Sequence, residues 1–380
     1  MIEGAGVEGA IIQRSNGGWE ARIKYINPAS GQVEQQSFYR KTEVAARAKL
    51  SDAREQLAAG EPISDAADLQ IDEWLLPIAK GVASYIPGLY QLRSRRRHQQ
   101  SASARYCYEV WMRHLTMLVE HNRTPTPEAL AELGPGGSLG VGLAALLSGV
   151  DKYYALDIVE YSETDLNLAL LSDLVDLFHA RTPVDFGWLS ESKVFPGHIL
   201  TNDILAETLA PTRIDNIRRA LTSQIGIAGR ITVQYITPWN DPAVIQESQV
   251  DLIVSHSVLE HVDDLRNTYD AFRKWLRPGG HMSHLIDFSS HGLTRSWNGH
   301  WRYPELVWNM VVGHKPYLIN RQPCSTHITL MTERGFEITT DRRHRIVGIP
   351  RDKLAARWQG LDDEDLRCAS MFVQSKLHKH

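Results

Sequence analysis

The stretch that most limits the possible folds is residues 129–159, ALAELGPGGSLGVGLAALLSGVDKYYALDIV. An apolar run of strand length leads into a glycine-rich turn, an apolar helix pattern and a second apolar run that ends at Asp157. Glycines in such a turn let a ligand approach the backbone, and the start of the helix offers free N–H groups. The pattern predicts a strand–turn–helix–strand unit that binds a nucleotide-like ligand.

The remainder of 129–380 continues to alternate strand and helix signals. Such alternation is typical of a mostly parallel sheet with helices on both faces, so we predict an α/β, Rossmann-like doubly wound sheet. The 73 residues between Asp157 and Ile231 are more than one crossover needs, and we expect an extra helical element there. The predicted strands are 129–133, 152–159, 231–236, 250–258 and 281–288, with 336–349 and 369–377 closing the sheet, and the predicted helices are 139–148, 163–180 and 263–276.

The first part of the chain predicts a separate small α+β domain at residues 1–62. Segments 19–26 and 33–39 alternate apolar and polar residues around turn-forming residues, and a stretch rich in helix formers follows from Thr42. We therefore predict a short antiparallel sheet plus one helix. Residues 63–128 are predicted as a helical linker region, and the large domain spans 129–380.

Within the linker region, residues 92–100 form a basic run, LRSRRRHQQ. A run of this kind is usually a solvated surface or linker, although it could also contact phosphate. Residues 104–122 predict a helix with aromatic residues on one side, packed against the next domain.

Composition excludes several classes of protein. The chain is 43% apolar and 23% charged with a net charge of −4, which argues against a main role in coating nucleic acid or an anionic membrane. Its three cysteines are widely spaced and predict neither a disulfide framework nor a zinc site. The longest mostly apolar run, 139–150, is shorter than the roughly 20 residues of a membrane span. With no secretory pattern at residue 1, we expect a cytoplasmic protein without a membrane span.

Two features bear on the ligand. Glu132 stands two residues before Gly134, and a carboxylate there suits a cationic ligand better than the pyrophosphate of a dinucleotide. Residues 250–288 contain SHSVLEHV and LRPGG between predicted strands. This segment resembles the fourth- and fifth-strand region of class I S-adenosylmethionine-dependent methyltransferases of the "type 11" kind, and the likeness extends over about 129–290. The resemblance implies S-adenosyl-L-methionine as the cofactor.

Carried over by position, the resemblance assigns a cofactor-binding set. The glycine motif would face the methionine half, Asp157 would hold the ribose, the loop after the third strand would flank the adenine, and the fourth strand would end beside the sulfonium. Trp239 and Asn240 stand where the family more often has a carboxylate. The residues implied are Glu132, Gly134, Gly136, Gly137, Asp157, Trp239, Asn240, Ser255 and His256.

The acceptor side is implied by a second resemblance. HLIDFSSH, followed by a Trp and an Asn-Arg pair, resembles a subset of methyltransferases found with polysaccharide and lipopolysaccharide biosynthesis. It implies O-methylation of a small-molecule or glycan acceptor. The implied catalytic residues are His284, Asp287 and His291, and the implied acceptor-binding residues are Trp308, Asn320 and Arg321.

The roles of the histidines stay open at this point. A histidine near its ordinary pKa of about 6.5 is a competent base at neutral pH, and an aspartate can orient it. His284 and Asp287 point to opposite faces of a regular strand, so they converge only if the chain turns near Phe288. A metal site from His284, Asp287 and His291, or purely structural histidines, are the alternatives.

A different function follows from residues 11–62, which resemble the amino-terminal arm-binding domain of phage integrases. That resemblance implies DNA as a possible partner of residues 1–62, with the large domain inactive or acting on a DNA-associated target. The charges of this region nearly balance, which supports DNA binding only weakly. Base methylation is not expected, because SHSVLEH stands where base-amine methyltransferases have an N/D/S-P-P-aromatic loop. A nicotinamide-dependent oxidoreductase is a minor alternative.

Overall fold

The computed structural model describes residues 8–14, 18–26, 33–40, 42–58, 63, 72–85, 103–122, 126–159, 163–223, 225–315 and 317–378. The basic run at 92–100 lies outside these residues. The chain divides into two compact units. The first comprises Met1–Ile86, Phe288–Arg321 and Arg343–Ser370, and the second comprises Pro87–Asp287, Gln322–Arg342 and Met371–His380.

The secondary structure follows the predicted alternation. The strands are β1 Glu8–Gln13, β2 Trp19–Ile26, β3 Val33–Arg40, β4 Ala129–Leu133, β5 Lys152–Leu156, β6 Val184–Asp185, β7 Lys193–Val194, β8 Ile227–Ala228, β9 Ile231–Ile236, β10 Val250–His256, β11 Leu276–Asp287, β12 Phe336–Arg345 and β13 Cys368–Leu377. The helices are α1 Glu43–Ala58, α2 Asp72–Ala83, α3 Ala104–Asn122, α4 Gly140–Leu146, α5 Thr164–His179, α6 Asn202–Thr208, α7 Pro211–Thr222, α8 Leu265–Trp275, α9 Glu305–Val312 and α10 Cys324–Glu333.

The first unit begins with a three-stranded antiparallel sheet in the order β1-β2-β3, followed by α1. The alternation in β2 places Ala21, Ile23 and Tyr25 on one face, where they form a buried cluster with Ala46 and Leu50 of α1. The predicted small sheet with one helix is therefore confirmed. Elsewhere in this unit α2 packs closely on α9, because Gly81 lets the two backbones approach.

The second unit is built on an eight-stranded sheet in the order β12-β13-β11-β10-β4-β5-β9-β8. Strands β11, β10, β4, β5 and β9 run parallel to one another, and β8 is antiparallel to β9. From β4 the chain adds β5 and β9 on one side, and then returns to add β10 and β11 on the other. The direction of growth thus reverses between β4 and β10, and the carboxyl ends of these two strands form the crevice where doubly wound sheets bind ligands. The predicted fold class is confirmed.

Both faces of this sheet are covered by helices. On one face, Leu130 of β4 and Val254 of β10 are buried in a large cluster that includes Trp111 and Leu115 of α3. On the other face, Phe272 of α8 stacks on the ring of a β11 histidine. The predicted helix at 104–122 therefore forms as α3. The interval between β5 and β9 holds α5, α6 and α7, which confirms additional helices there.

Several strand boundaries differ from the expected ones, and β10 ends at His256 and β12 at Arg345, each earlier than predicted. Strand β5 ends at Leu156, and just beyond it the Asp157 carboxylate accepts the N–H of Ile158 at 2.7 Å. Strand β11 begins at Leu276, earlier than expected. Its register against β10 shifts between the Val250–Leu276 and Leu252–His281 pairs, so the LRPGG segment is a bulged start of the strand and not a turn before it.

A close contact joins α4 to the sheet. A Cβ atom added to Gly142 would lie 2.0 Å from Cζ of Tyr153, so the tyrosine ring of β5 packs directly on the helix backbone. Tyr153 is fully buried, and its hydroxyl donates a hydrogen bond of 2.6 Å to Oε2 of Glu132. Glycine at 142 is required for this arrangement of β4, β5 and α4.

Of the helices in the described ranges, none combines the length and apolar character needed to cross a membrane. The three cysteines are buried thiols.

Replacing Gly142 with alanine is expected to destabilise the fold. Overpacking costs about 1–3 kcal/mol, more than the 0.5–1 kcal/mol that alanine gains over glycine inside a helix. Denaturant unfolding should show a lower midpoint. Gly197→Ala is the matched control, because its Cβ would make only an ordinary contact, 3.8 Å from Phe195. Equal stability of the two variants would contradict this account of the α4 contact.

Candidate functional site

The turn after β4 is fixed by two glycines in the left-handed region. Gly134 has a φ of 68° and Gly136 has a φ of 69°, values that residues other than glycine rarely adopt. The Gly134 N–H donates to the Leu156 carbonyl at 2.8 Å, so the turn is tied to the end of β5. A Cβ at Gly134 would lie 2.6 Å from Val258, in the loop after β10. The turn therefore lies at the point where the sheet reverses, between the carboxyl ends of β4 and β10.

Glu132 is buried beneath this turn. Its carboxyl group accepts the Tyr153 hydroxyl, and the backbone N–H of Gly142 also faces it. Burial raises the pKa of Glu132 to about 7, the two hydrogen bonds oppose that rise, and the charge of Asp157 adds to it. The carboxyl group is thus poised to gain or lose a proton near neutral pH.

Asp157 is half-buried at the end of β5 and links the turn to the neighbouring strand end. Its Oδ2 accepts the N–H of Gly136 at 3.3 Å, and its carbonyl accepts the N–H of Trp239 at 3.2 Å. The structure therefore brings together three parts of the predicted cofactor set: the glycine turn, Asp157 and the loop after β9.

The two predicted residues of that loop differ in exposure. The Trp239 ring is buried and meets the Trp275 ring edge-on, with centroids 6.4 Å apart. Trp275 in turn donates from Nε1 to the Pro242 carbonyl at 2.9 Å, which fixes the loop on α8. Asn240 is exposed and is the residue of the pair that a ligand can reach.

Ser255 and His284 form a closed pair on the α8 face of the sheet. Ser255 Oγ and His284 Nδ1 share a hydrogen bond of 2.8 Å, and the imidazole stacks on Phe272 with centroids 5.5 Å apart. His284 is fully buried. Burial, and secondarily His327, lower the pKa of His284 to about 3, so its imidazole is neutral at physiological pH. This pair belongs to the core of the second unit.

His256 and Asp287 lie on the opposite face, beneath α3. His256 follows Val254 at a spacing of two, and Asp287 follows Ser283 at a spacing of four, so each shares the face of its partner. Ser283 Oγ lies 2.7 Å from Nδ1 of His114 in α3, which identifies that face. Because β11 continues regularly to Asp287, the structure places His284 and Asp287 on opposite faces of the sheet.

Burial keeps the imidazole of His256 neutral. Burial is the main cause that lowers the pKa of His256 to about 3; Arg113 adds to the effect and Asp287 opposes it. Glu260, buried in the turn after β10, has a pKa raised well above its usual range by burial and by Asp287. The carboxyl ends of β10 and β11 therefore carry a neutral imidazole and two carboxyl groups, of which that of Glu260 has a raised pKa.

Helix α3 supplies site residues that the sequence did not reveal. The Tyr106 ring meets the His256 ring edge-on, with centroids 6.0 Å apart, and the His114 ring meets it at the same distance. The charges of Glu132 and Glu260 both act on the Tyr106 phenol, so this side chain lies near both strand ends. The signal available in the sequence was an aromatic helix directly before the first strand of the sheet.

The remaining predicted acceptor residues lie in the first unit. The Arg321 guanidinium carbon lies 4.3 Å above the Trp308 ring, and Nη2 is 2.8 Å from Glu305 Oε2. Burial lowers the pKa of Arg321 to about 10, against the opposing effect of Glu305. Trp308 and Arg321 are thus brought together as a buried cation–π pair. Asn320 is half-buried and His291 is exposed.

Several solved structures are similar to this chain at low identity. A putative S-adenosylmethionine dependent methyltransferase from Listeria monocytogenes is 12% identical, covering 71% of this chain and 99% of that chain with a TM-score of 0.35. An S-adenosylmethionine dependent methyltransferase from Mesorhizobium loti is 15% identical, covering 65% and 90% with a TM-score of 0.33. The trans-methyltransferase CalH, in complex with SAH, is 13% identical, covering 88% and 74% with a TM-score of 0.38.

No curated protein matches the sequence. Residues 146–342, more than half of the chain, match the family described as "Methyltransferase domain". The match begins inside α4, so the glycine turn and Glu132 are placed in the site by their geometry alone. The chain belongs to the methyltransferase-domain family.

Proposed function

We propose that the protein is an S-adenosyl-L-methionine-dependent methyltransferase that methylates a hydroxyl group of a small-molecule or glycan acceptor. One observation carries the proposal: a left-handed glycine turn and the carboxylate of Asp157 meet at the point where the parallel sheet reverses. That crevice is where a sheet of this type binds a nucleotide-derived ligand.

The residues in the crevice fit this cofactor. S-adenosyl-L-methionine is a cation at its sulfur and carries a ribose, and the crevice offers the carboxyl groups of Glu132 and Asp157. Gly134 and Gly136 leave the backbone of the turn open to a ligand. A dinucleotide would instead bring its negative pyrophosphate against Glu132, which disfavours the oxidoreductase alternative.

Individual residues receive distinct roles. The glycine turn and Glu132 would face the methionine half, Asp157 would hold the ribose hydroxyls, and Asn240 would flank the adenine. His256 would line the floor near the sulfur, and as a neutral group it adds no positive charge beside a cation. Ser255 supports that floor from the buried side through its bond to His284.

The bound cofactor supplies a methyl group already activated by its positively charged sulfur. The chain's own contribution is then to align the acceptor with that carbon, exclude water and receive the acceptor's proton. A hydroxyl acceptor needs this last step, and a carboxyl group stands at the carboxyl end of β11, next to the end of β10. This is the support for O-methylation.

The first unit gives little support to the DNA-binding alternative. Arg22 of the small sheet is 2.8 Å from Glu20, and Arg47 of α1 is 2.6 Å from Glu43. Phosphate binding needs several available cations on one surface, and these two are already paired.

The proposal is tested by isothermal titration calorimetry of the full-length chain with S-adenosyl-L-methionine, S-adenosyl-L-homocysteine and NAD. We expect micromolar binding of the first two ligands and none of NAD. Binding of NAD alone would overturn the assignment.

Asp157→Asn is expected to weaken binding of S-adenosyl-L-methionine about 10- to 100-fold. Hydrogen bonds to a charged group contribute about 1.5–3 kcal/mol, which corresponds to a change of this size in the dissociation constant. Calorimetry measures it directly. Asp173→Asn, on the exposed side of α5, is the matched control and should bind normally. An unchanged affinity in Asp157→Asn would remove Asp157 from the ribose site.

Glu132 should make cofactor binding depend on pH. A cationic ligand favours the ionised carboxylate, so binding should release a proton, and affinity should rise by up to about tenfold between roughly pH 6 and pH 8. Calorimetry in buffers of different ionisation enthalpy measures the proton release. Glu132→Gln should abolish this dependence, whereas Glu128→Gln, an exposed position just before β4, should retain it.

The same raised pKa affects stability. Between the unfolded value near 4.5 and about 7, the folded chain binds more protons at Glu132 than the unfolded chain does. The contribution of Glu132 to the free energy of unfolding should therefore fall as the pH rises through this window, and level off above it. A contribution that increased with pH would contradict the buried carboxyl group described here.

A further inference from the structure

Three strand ends place acid–base groups on one face of the second unit's sheet. Glu132 of β4, His256 of β10 and Asp287 of β11 all lie on the face beneath α3, on strands that are neighbours in the sheet. His284 lies on the opposite face, where Ser255 and Phe272 enclose it. The open carboxyl-end crevice and the buried histidine are therefore separated by the sheet itself.

We propose that Asp287, on the α3 face beside His256, receives the proton of the acceptor hydroxyl, and that the acceptor carries no negative charge next to the methylated oxygen. This inference rests on the proposed function. It makes Asp287, and not His284, the proton acceptor. It also limits the acceptor to compounds without a negative charge beside the methylated oxygen.

The placement of Asp287 supports a proton-accepting role. Asp287 is half-buried at the last residue of β11, whereas His284 is fully buried. The charge of Asp287 acts on both His256 and Glu260. Groups of this kind at the carboxyl ends of adjacent parallel strands are where a ligand of a doubly wound sheet meets its reacting side chains.

The charges on this face define the substrate class. Arg113 is the cation whose charge lowers the pKa of His256. The Arg113 guanidinium donates to the Asp185 carbonyl at 2.9 and 2.7 Å, so it is already engaged. A phosphate or carboxylate beside the reacting hydroxyl would be repelled by Asp287. An uncharged polyol, sugar ring or phenol would not be.

Methyl transfer to the acceptor forms one bond, breaks one bond and moves one proton. The acceptor oxygen forms a bond to the methyl carbon as the carbon–sulfur bond breaks, with the electron pair left on sulfur. The O–H proton passes to Asp287. The other groups that contact or act electrostatically on His256, Tyr106 or Asp287 are Tyr106, Arg113 and His114 of α3, Glu132 of β4 and Glu260 of the turn after β10.

The test uses the full-length chain saturated with S-adenosyl-L-homocysteine and a panel of paired compounds: methyl hexopyranosides and simple phenols, each beside its phosphorylated counterpart. Calorimetry should show that the uncharged member binds at least about tenfold more tightly than the phosphorylated one. With S-adenosyl-L-methionine, the uncharged compounds that bind should be methylated, as measured by release of S-adenosyl-L-homocysteine.

Variants then test Asp287. Asp287→Asn should lower kcat about 100-fold or more, while it binds the acceptor in the S-adenosyl-L-homocysteine complex, and S-adenosyl-L-methionine alone, within about twofold of the unaltered chain. Asp287→Glu keeps the charge and should retain more turnover than Asp287→Asn. Asp173→Asn on α5 is the matched control and should behave as the unaltered chain.

Several outcomes overturn the inference. Tighter binding of the phosphorylated compounds, or no binding of any uncharged compound to a chain that does bind S-adenosyl-L-homocysteine, refutes the substrate class. Normal turnover in Asp287→Asn refutes the proton acceptor. If the chain binds neither S-adenosyl-L-methionine nor S-adenosyl-L-homocysteine, the proposed function itself is wrong. Calorimetry with these two ligands alone distinguishes that result from a failure of the present inference.

Discussion

The packing of Tyr153 on the bare backbone of Gly142 is the constraint on which the site depends. It brings β5 against α4 and lets the tyrosine hydroxyl reach Glu132 on β4. With these elements held together, the turn at Gly134 is tied to the end of β5, and Asp157 meets Gly136. The contact between the Tyr153 ring and Gly142 thus helps to position the turn and gives the carboxyl group beneath it a hydrogen-bond donor.

Because the sheet reverses between β4 and β10, the strand ends on the two sides of this point carry different kinds of groups. The ends of β4 and β5 carry the groups suited to a positively charged, ribose-containing ligand, and the ends of β10 and β11 carry the groups suited to handling a proton. Helix α3 lies over both sets through Tyr106 and His114. A cofactor and an acceptor could meet in one crevice because their separate sets of residues come from neighbouring strands.

Much of this architecture follows from local sequence signals. Alternation in β2, the apolar run of β4 and the glycine turn each predict their own structure, because the period of a strand and the backbone freedom of glycine are local properties. The partner of Glu132 and the contacts of α3 do not follow in the same way. They depend on which residues of distant segments pack together, and a single sequence carries no record of that pairing.

The histidine of β11 illustrates the same limit. His284 and Asp287 stand in one short motif, and only the continuation of the strand to Asp287 decides that they face opposite sides of the sheet. Motif spacing alone left open whether the chain would bend before that point. Likewise, Trp239 and Asn240 stand side by side in the loop after β9, and only the structure shows that the Trp239 ring is buried on Trp275 while Asn240 is exposed.

The Ser255–His284 bond has a consequence for how this protein tolerates change. It joins β10 to β11 on the α8 face of the sheet. Ser255 precedes His256 by one residue on β10, and His284 precedes Asp287 by three residues on β11. A substitution that removed this bond would leave the backbone ladder between β10 and β11 to hold the two strand ends alone, and would leave a buried polar group without its partner. Its effect would reach the ends of both strands from a position enclosed in the core of the second unit.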